Sequence, residues 1–265
     1  QEPPPDRVLL VDNGSSDDSL AQIQQTFGAQ VWLMPSAANL GFAGGNNLAI
    51  AAALARGAEW ILLANNDTVV APDFLAALET CVAAHPQVQL LSPLILYSGE
   101  PHRIWSLGDR RLGGTLITRS LLRDALVPAA LEPLIMVDFL NACGLLVKRS
   151  VFEAAGLFDV NYFMYGEDVD FCWRARGRGF NLGCCTTAHM WHKVSRSTGV
   201  RHPQSRYWRV ANQIKFYRTY SRGPHKLLLL LFTAARGLRL WWGDVQAGKP
   251  ELGGVTWRAW RDGWF

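Results

Sequence analysis

Short apolar runs that alternate with helical patterns are the feature that most constrains how this 265-residue chain can fold. Strands are predicted at 7–11, 31–34 and 60–64, and helices are predicted to begin at about residue 17, within 39–57 and at residue 72. Brief apolar runs between helices are typical of strands that are buried on both faces of a parallel sheet. The order βαβαβα therefore predicts an α/β fold whose mainly parallel sheet is flanked by helices.

The second half of the chain alternates less regularly. A helix is predicted to open at Glu167, and a strand is predicted at 180–185. Beyond Gln204 the pattern is helical, with two breaks where Gly and Pro occur together, because both residues interrupt helices. The hydrophobic content of 49% suffices for a substantial core. We expect a main domain at 1–203 and a helical extension at 204–265.

Charge is distributed unevenly between the two ends of the chain. Residues 193–265 contain 14 Lys and Arg against 3 Asp and Glu, whereas residues 1–192 carry a net charge of −7. Six of the eleven tryptophans lie in the basic segment. Basic residues interleaved with Trp suit an anionic partner, either a membrane surface or a nucleic acid, and a helical cap with a solvated basic face remains the alternative. The apolar run 227–232 is too short to span a bilayer, which needs about 20 residues.

Two acidic clusters lie about a hundred residues apart in the sequence. The Asn-Asn-Asp cluster at 65–67 follows the predicted strand 60–64, so Asp67 would lie at the carboxyl end of a strand, where open α/β sheets bind ligands. The Glu-Asp-Val-Asp cluster at 167–170 opens a predicted helix. A carboxylate for a hard cation and a second carboxylate that acts as a base together indicate metal-assisted group transfer from a phosphorylated donor.

Asp67 and Asp168 differ in how well they can be explained without a function. A carboxylate just past a buried strand adds nothing to the core, whereas one carboxylate combined with substrate phosphates is a usual way to hold Mg²⁺. Favourable interaction with a helix dipole would account for one carboxylate at the start of a helix, at under about 1 kcal/mol. It accounts less well for Glu167 together with Asp168 and Asp170.

Three further features give weaker signals. Asp12 ends a predicted strand and is placed to accept hydrogen bonds from a ligand, although an ordinary turn is an equally good interpretation. The glycine-rich turn 41–47 would let the backbone approach a phosphate or a ribose, but it does not match G-x-G-x-x-G. His192 is a single histidine, and such residues are more often structural than metal ligands.

Cysteine usage and the N-terminal residues bear on the compartment. The five cysteines form no C-x-x-C pair and are odd in number, so we expect neither disulfides nor structural zinc. The first residues lack the apolar stretch of a signal peptide. A cytoplasmic location is the simplest interpretation.

Four motifs occur in order and at matching spacing. They are V-D-N-G-S-S-D at 11–17, N-L-G-F-A-G-G-N-N at 39–47, L-A-N-N-D-T at 63–68, and F-D followed by F-M-Y-G-E-D-V-D within 158–170. Taken together they resemble the family 2 glycosyltransferases of the GT-A fold, and in particular the rhamnosyltransferase-like branch. The resemblance extends from about Asp6 to the end of the chain.

The resemblance implies a function. It implies inverting transfer of a sugar, such as rhamnose, from a UDP- or dTDP-sugar to a hydroxyl of a glycan or a lipid-linked acceptor in cell-surface polysaccharide synthesis. Mg²⁺ or Mn²⁺ would be the cofactor. The enzyme would act in the cytoplasm, peripherally at the inner face of the plasma membrane, where the basic extension would contact anionic lipid. No nucleic-acid partner is expected, because no DNA- or RNA-binding motif accompanies the charge.

The resemblance also implies roles for particular residues. Asp168 matches the base that deprotonates the acceptor, with Glu167 beside it. Asp67 matches the metal-binding end of the family's D-x-D-type motif, and His192 resembles a histidine near the metal and the diphosphate. The domain would divide into a nucleotide-sugar half at about 6–95 and an acceptor half at about 96–203. The residues expected to bind the donor are Asp12, Asn13, Asn39, Gly41, Gly44, Asn46 and Asn66.

Two departures from the family pattern leave alternatives open. The first strand and helix of the family are expected to be missing here, so a catalytically incomplete fragment that binds nucleotide or membrane is the alternative function. Asn141-Ala142 replaces the usual Ser-Gly pair and is expected to affect acceptor choice. A nucleotidyltransferase would normally show a glycine-rich loop with a basic residue near the N-terminus, and this sequence has none.

Overall fold

The structure is a computed structural model that describes residues 1–193 and 202–265. The helices of these two ranges are α1 Ser19–Phe27, with a 3₁₀ turn Gly28–Gln30 after it, α2 Gly41–Ala55, α3 Phe74–Ala84, α4 Arg149–Ala155, α5 Glu167–Gly177, α6 Pro203–Tyr220, α7 Pro224–Gln246 and α8 Glu251–Trp264. The strands are β1 Val8–Asp12, β2 Val31–Pro35, β3 Trp60–Ala64, β4 Thr68–Val70, β5 Leu90–Tyr97, β6 Glu100–Ser106, β7 Asp109–Arg111, β8 Thr118–Ser120, β9 Leu134–Val137, β10 Gly144–Lys148 and β11 Leu182–His192.

The predicted α/β class is confirmed, but the sheet is mixed rather than mainly parallel. A seven-stranded sheet has the order β3-β10-β5-β11-β4, with β6 added to β5 and β9 added to β11. Of the pairings described in it, only β5 with β11 is parallel. The parallel pair β1 and β2 forms a separate sheet, and β7 with β8 forms another. The prediction was wrong here because β6 returns along β5 after a two-residue turn, whereas parallel neighbours need a long crossover.

The core of the first unit lies between α3 and the middle of the seven-stranded sheet. Apolar side chains of α3 pack against β5 and β11, and Phe74, Leu78, Leu91, Ile95 and Met190 are each at most 2% exposed. β5 is apolar along nearly its whole length because both of its faces are covered, with Leu91 and Ile95 in the cluster of α3 and Leu94 and Leu96 in a second buried cluster. The core thereby fixes β11, the strand that ends at His192.

α2 begins earlier than the sequence suggested, because the glycine-rich segment from Gly41 onward is helical rather than a turn. Gly41 has φ +72°, and a Cβ at this position would lie 2.3 Å from the carbonyl oxygen of Phe163. The next residue, Phe42, donates its backbone N–H to that oxygen at 2.7 Å. Asn47 binds the backbone of Phe158 twice, donating to its carbonyl at 2.9 Å and accepting from its N–H at 3.1 Å. The start of α2 therefore holds the segment that leads towards α5.

By its internal contacts the chain separates into two compact units. The first is 1–110, 119–163 and 167–194, and the second is 111–118, 164–166 and 195–265. The predicted domain boundary at 203, and the division into halves at about residue 95, stay predictions. The predicted helix breaks near residues 223 and 249 are confirmed by the ends of α6, α7 and α8.

The second unit is built on its three helices. Arg206 of α6 binds Asp244 of α7 through two hydrogen bonds of 3.0 Å, and both residues are largely shielded from solvent. The Oγ1 of Thr233 on α7 accepts hydrogen bonds from the indole N–H groups of Trp260 and Trp264 on α8. These tryptophans therefore pack helices together, and they are not the surface anchors that a basic, Trp-rich segment suggested.

The structure also bears on the predictions about the basic segment, about membrane spans and about the cysteines. The start of the basic segment, residues 194–201, lies outside the described residues. Within the described ranges no helix has the length and apolar character that a membrane span requires. All five cysteines are free and buried.

Candidate active site

Asp67 and His192, which are 125 positions apart, meet at one end of the seven-stranded sheet. β3 ends at Ala64, and the turn that carries Asp67 leads directly into β4. β4 pairs with the last residues of β11, with Thr68 opposite His192, and the backbone N–H of Lys193 donates to the carbonyl of Asp67 at 2.9 Å. This register places His192 Nε2 3.1 Å from Asp67 Oδ1.

The surroundings of this pair keep the imidazole neutral and leave polar atoms unsatisfied. Burial lowers the pKa of His192, although the carboxylate of Asp67 acts in the opposite direction. The ring of Trp105 meets the imidazole edge to face, with 4.5 Å between their centroids. His192 Nδ1 is buried and has no hydrogen-bond partner within the described residues, while the buried Asp67 Oδ1 has only the imidazole Nε2, at 3.1 Å, as a polar neighbour. Buried polar atoms of this kind usually have a partner, so both are candidate contacts for a ligand.

Asp168 lies in the first turn of α5 and is only partly buried. Its Oδ2 accepts a hydrogen bond of 3.3 Å from the backbone N–H of Ala142, and its Oδ1 accepts one of 2.8 Å from Val169. Burial raises the pKa of Asp168 above its ordinary value, and the two backbone donors oppose that shift. A carboxylate with a raised pKa, held in a fixed orientation, is suited to accept a proton.

Glu167, predicted as a second catalytic residue, lies in a different environment. It is 4% exposed, and its Oε2 has no hydrogen-bond partner within the described residues. Burial raises the pKa of Glu167 well above its usual range, and the charge of Asp168 raises it further. Burial thus favours the neutral form of Glu167, whose carboxyl group has an atom without a hydrogen-bond partner, whereas Asp168 is held by two backbone donors.

The segment 141–143 joins the two acidic clusters. The backbone N–H of Ala142 binds Asp168, while the carbonyl of Cys143 accepts a hydrogen bond of 3.0 Å from the backbone N–H of Asn65. Burial raises the pKa of the Cys143 thiol, and the charges of both Asp67 and Asp168 contribute to the shift. The position where the sequence departs from the family's Ser-Gly pair therefore lies between the two predicted site carboxylates.

The residues predicted to bind the donor form a second group, much of which is occupied by internal hydrogen bonds. Asp12 ends β1 and is 8% exposed. Asn13 donates to the carbonyl of Gly41 at 2.9 Å and accepts from the N–H of Leu40 at 2.9 Å, while Asn39 accepts from the N–H of Gly41. These side chains therefore shape the two loops that follow β1 and β2. Their role in donor binding stays a prediction.

The other predicted donor residues are placed differently. A Cβ at Gly44 would lie 2.7 Å from the side chain of Leu40, and Asn46 donates to the carbonyl of Phe42 one turn earlier in α2. Asn66 is exposed in the turn beside Asp67. The structure thus gives Gly44 and Asn46 local packing roles and leaves Asn66 open to solvent.

Sequence reasoning missed Trp105, Cys143 and the extension of β11 to His192. The predicted strand stopped at Cys185, where the pairing of β11 with β5 shifts register before resuming at His189. Two threonines in this interval break the apolar run, so no local signal marked the continuation. Asn47 ends the motif at 39–47, but its bonds to Phe158 join residues that are 111 positions apart, so the sequence did not reveal its partner.

The donor atoms at Asp67 and His192 fit a divalent metal ion that is also bound by substrate. No cluster of three or more His, Cys, Asp or Glu side chains that could hold a metal occurs in residues 1–193 or 202–265. The two side chains would therefore supply part of a coordination sphere, and phosphate oxygens and water the rest, as is usual for Mg²⁺. The 3.1 Å between the donor atoms agrees with the roughly 3.0 Å that separates adjacent ligands of an octahedral ion at about 2.1 Å.

Solved structures show which class of fold this is. The chain superimposes with a TM-score of 0.52 on the mannosyltransferase PcManGT from Pyrobaculum calidifontis in complex with GDP-Man and Mn²⁺, at 14% identity, covering 97% of this chain and 77% of that one. With GalNAc-T7 in complex with UDP, GalNAc and Mn²⁺ the TM-score is 0.55 at 13% identity, covering 80% of this chain and 41% of that one. The fold is the GT-A glycosyltransferase fold.

Sequence comparison then assigns the family. The model of the family described as "Glycosyltransferase like family 2" matches residues 1–215, and the chain belongs to this family. It is 33% identical over 219 residues to the N-acetylglucosaminyl-diphospho-decaprenol L-rhamnosyltransferase of Mycobacterium tuberculosis, covering 76% of this chain and 70% of that protein. It is 30% identical to the galactofuranosyltransferase GlfT1 of Mycolicibacterium smegmatis, covering 72% and 63%. The predicted family is confirmed.

The raised pKa of Glu167 predicts a pH-dependent loss of stability. The folded state keeps a proton on this carboxyl group that the unfolded chain releases above about pH 4.5, its ordinary pKa. The contribution to stability is thus complete below that pH and is lost as the pH rises towards the folded-state value. We expect Glu167→Gln to remove this loss. The free energy of unfolding of the variant, measured by urea denaturation, should therefore rise relative to that of the wild type as the pH increases from about 4.5 to about 8.

Glu79→Gln, at an exposed position of α3, is the matched control and should differ from the wild type by an amount that does not change with pH. A pH-independent difference for Glu167→Gln as well would contradict the assignment of a neutral, buried carboxyl group.

Proposed function

We propose that this chain is an inverting, metal-dependent hexosyltransferase that transfers a sugar from a UDP- or dTDP-sugar to an acceptor hydroxyl. The proposal rests on one observation, that two sites with different chemistry are attached to the same segment of backbone. His192 presents an unsatisfied buried nitrogen beside Asp67, and Asp168 presents an oriented carboxylate. Main-chain bonds from 141–143 hold Asp168 and Asn65, two residues before Asp67. Such an arrangement serves a reaction that stabilises a leaving anion at one place and removes a proton at another.

Asp168 would act on the acceptor. Its carboxylate takes the proton of the attacking hydroxyl, and the oxygen forms a bond to the anomeric carbon as the bond to the diphosphate breaks. Because attack occurs opposite the leaving group in a single displacement, the anomeric configuration inverts. The hydrogen bonds from Ala142 and Val169 keep Asp168 oriented for this transfer.

Mg²⁺ or Mn²⁺ would be held by Asp67 and His192. When bound, the ion offsets charge on the diphosphate leaving group. Burial lowers the pKa of His192 and so favours the neutral imidazole, which could coordinate the ion through Nε2 once the ring proton that faces Asp67 moves to Nδ1. The carboxylate of Asp67 provides the negative charge that a hard cation prefers.

The donor sugar and the acceptor are proposed from the relatives. One relative is named as a rhamnosyltransferase acting on N-acetylglucosaminyl-diphospho-decaprenol, and another, from Shigella flexneri, as a dTDP-rhamnosyl transferase. We infer rhamnose as the sugar and a lipid-linked glycan as the acceptor, in the synthesis of a cell-surface polysaccharide. Asn141-Ala142 beside Asp168 would contribute to acceptor choice.

A lipid-linked acceptor requires the enzyme to work at a membrane, and α7 has a surface suited to this. Seven exposed apolar side chains follow one side of this helix and are called here the α7 stripe: Leu227, Leu228, Leu231, Leu238, Trp241, Trp242 and Val245. Lys226 and Arg239 are exposed at its edges, whereas Arg236 lies on the opposite side of α7 and donates to Gln213 of α6. An apolar stripe bordered by cations suits a helix that lies in the interface of an anionic bilayer. We infer peripheral binding at the inner face of the plasma membrane.

Asp67→Asn tests the metal assignment. The substitution keeps the shape of the side chain and removes its charge, so we expect the Mn²⁺-dependent part of UDP or dTDP binding, measured by calorimetry, to disappear while the thermal unfolding temperature stays unchanged. Asp73→Asn, before α3, removes an equal charge from an exposed residue that makes no side-chain cap bond, and it should bind as the wild type does. Unchanged Mn²⁺ dependence in Asp67→Asn would remove this residue from the site.

Asp168→Asn separates binding from chemistry. We expect nucleotide affinity to stay within a few-fold and turnover of the donor sugar to fall by about 10²–10⁴-fold, as for the loss of a general base. Glu167→Gln should reduce turnover much less, because that carboxyl group is already neutral. Equal losses in the two variants, measured as initial rates with saturating donor, would place the base elsewhere.

The α7 stripe can be tested with liposomes. We expect the chain to sediment with anionic vesicles, and about 0.5 M salt to weaken binding because it screens the basic residues. Leu231→Ser combined with Trp242→Ser should reduce binding about tenfold or more, since both side chains would enter the headgroup boundary. Leu126→Ser, at an exposed leucine of the first unit, is the matched control. Equal binding by all three proteins would contradict the role of the stripe.

A further inference from the structure

A turn between β8 and β9 places Arg123 between two residues that have an unusual backbone conformation. The residues on either side of it, Leu122 and Asp124, have φ values of +47° and +66°. Positive φ is uncommon for residues other than glycine and is costly for leucine, and such conformations concentrate where a ligand or a reaction requires them. We therefore expect this turn to do more than connect two strands.

Hydrogen bonds from β5 and β6 fix this turn in place. The backbone N–H of Asp124 donates to the carbonyl of Ile104, and the N–H of Ile104 donates to the carbonyl of Ala125, each at 2.9 Å. The side chain of Asp124 accepts a hydrogen bond of 2.6 Å from the hydroxyl of Tyr97, and Arg103 donates to its carbonyl at 2.6 Å. Arg123 is thus carried by a rigid turn, although its own side chain is exposed.

Arg123 and His192 both lie against the ring of Trp105. The guanidinium carbon of Arg123 lies 5.3 Å from the centroid of the Trp105 ring, and the same ring contacts His192 with 4.5 Å between centroids. Within residues 1–193 and 202–265, Arg123 forms no salt bridge with a carboxylate. The charge of Arg123 opposes the rise in pKa that burial causes at Asp109, and its side chain interacts with Tyr97. The guanidinium over Trp105 is nevertheless exposed, so it is accessible to an anion.

The charge of the leaving group indicates which anion this is. The diphosphate of a nucleotide sugar carries about two negative charges, which a divalent ion can offset. As the bond to the sugar breaks, the diphosphate gains about one more. A guanidinium presents planar N–H donors that match phosphate oxygens, and a group that meets charge as it develops stabilises the transition state more than the bound donor.

We propose that Arg123 binds the diphosphate of the donor, beside Asp67 and His192, and stabilises it as it leaves. This inference rests on the proposed function and adds to it a residue that neither the motifs nor the predicted site included. Trp105 would serve as the platform that keeps the guanidinium in position, which agrees with its 9% exposure.

The alternative is that Arg123 only covers Trp105. A cation–π contact at an exposed position stabilises the fold by about 0.5–1 kcal/mol and has no bearing on ligands. The two explanations predict different effects of Arg123 on nucleotide binding. A residue that binds the diphosphate affects binding of a nucleoside diphosphate more than binding of the monophosphate, whereas a purely structural residue affects both equally.

The experiment is calorimetric titration of the full chain with UDP, UMP, dTDP and dTMP in the presence of Mn²⁺. Arg123→Gln should weaken binding of the preferred diphosphate about 10- to 100-fold, the range for a lost hydrogen bond to a charged group, and change monophosphate binding less than about 3-fold. Arg123→Lys should lose less, because it keeps the charge. Arg119→Gln, which removes the same charge from an exposed position of β8, should bind as the wild type does.

Each outcome is decisive. Equal loss of monophosphate and diphosphate binding in Arg123→Gln, equal loss in Arg119→Gln, or no loss at all would overturn the role of Arg123 while leaving the proposed function in place. A wild-type chain that binds none of the four nucleotides would overturn the proposed donor class, and with it this inference. Thermal unfolding of each variant shows whether it is folded, and a Gln variant that unfolds leaves the decision to Arg123→Lys.

Discussion

One short stretch of backbone, residues 141–143, sets the geometry on which the rest of the site depends. It binds Asp168 on one side and the backbone before Asp67 on the other, and it then continues into β10. β10 is paired with β3, with Gly144 opposite Ala64. The positions of both carboxylates are thus determined by one strand register, and a slip of one residue would turn every neighbouring side chain to the opposite face of the sheet.

α2 adds a second connection. Through Phe42 and Asn47 it is bonded to the two ends of the segment 158–163, and through Asn13 and Asn39 its first turn is bonded to the loops after β1 and β2. The loops expected to meet the nucleotide and the chain leading towards Asp168 are therefore held by the same helix. Reactions that join two substrates benefit from such preorganisation, because the ordering has been accomplished during folding.

The features that could be predicted from the sequence are the local ones. Apolar runs at 31–34 and 60–64 became strands within one residue of their predicted ends, and Glu167 does begin a helix. The direction of the strands could not be read in this way, because most pairings of the seven-stranded sheet join residues 45 or more positions apart and leave no local pattern. The same is true of β11 beyond its register shift, and of Arg123, whose significance depends entirely on Trp105 and His192.

The pairing of β4 with the end of β11 also bears on how the protein is made. Asp67 leaves the ribosome well before the strand that pairs with β4, since 125 residues separate it from His192. At about 5–20 residues per second this interval lasts roughly 6–25 s. During that time β4 is an unpaired edge and α3 lacks the strand that covers its apolar face, so the nascent chain presents a surface that chaperones recognise. The chemistry of the site is assembled only when synthesis has passed β11.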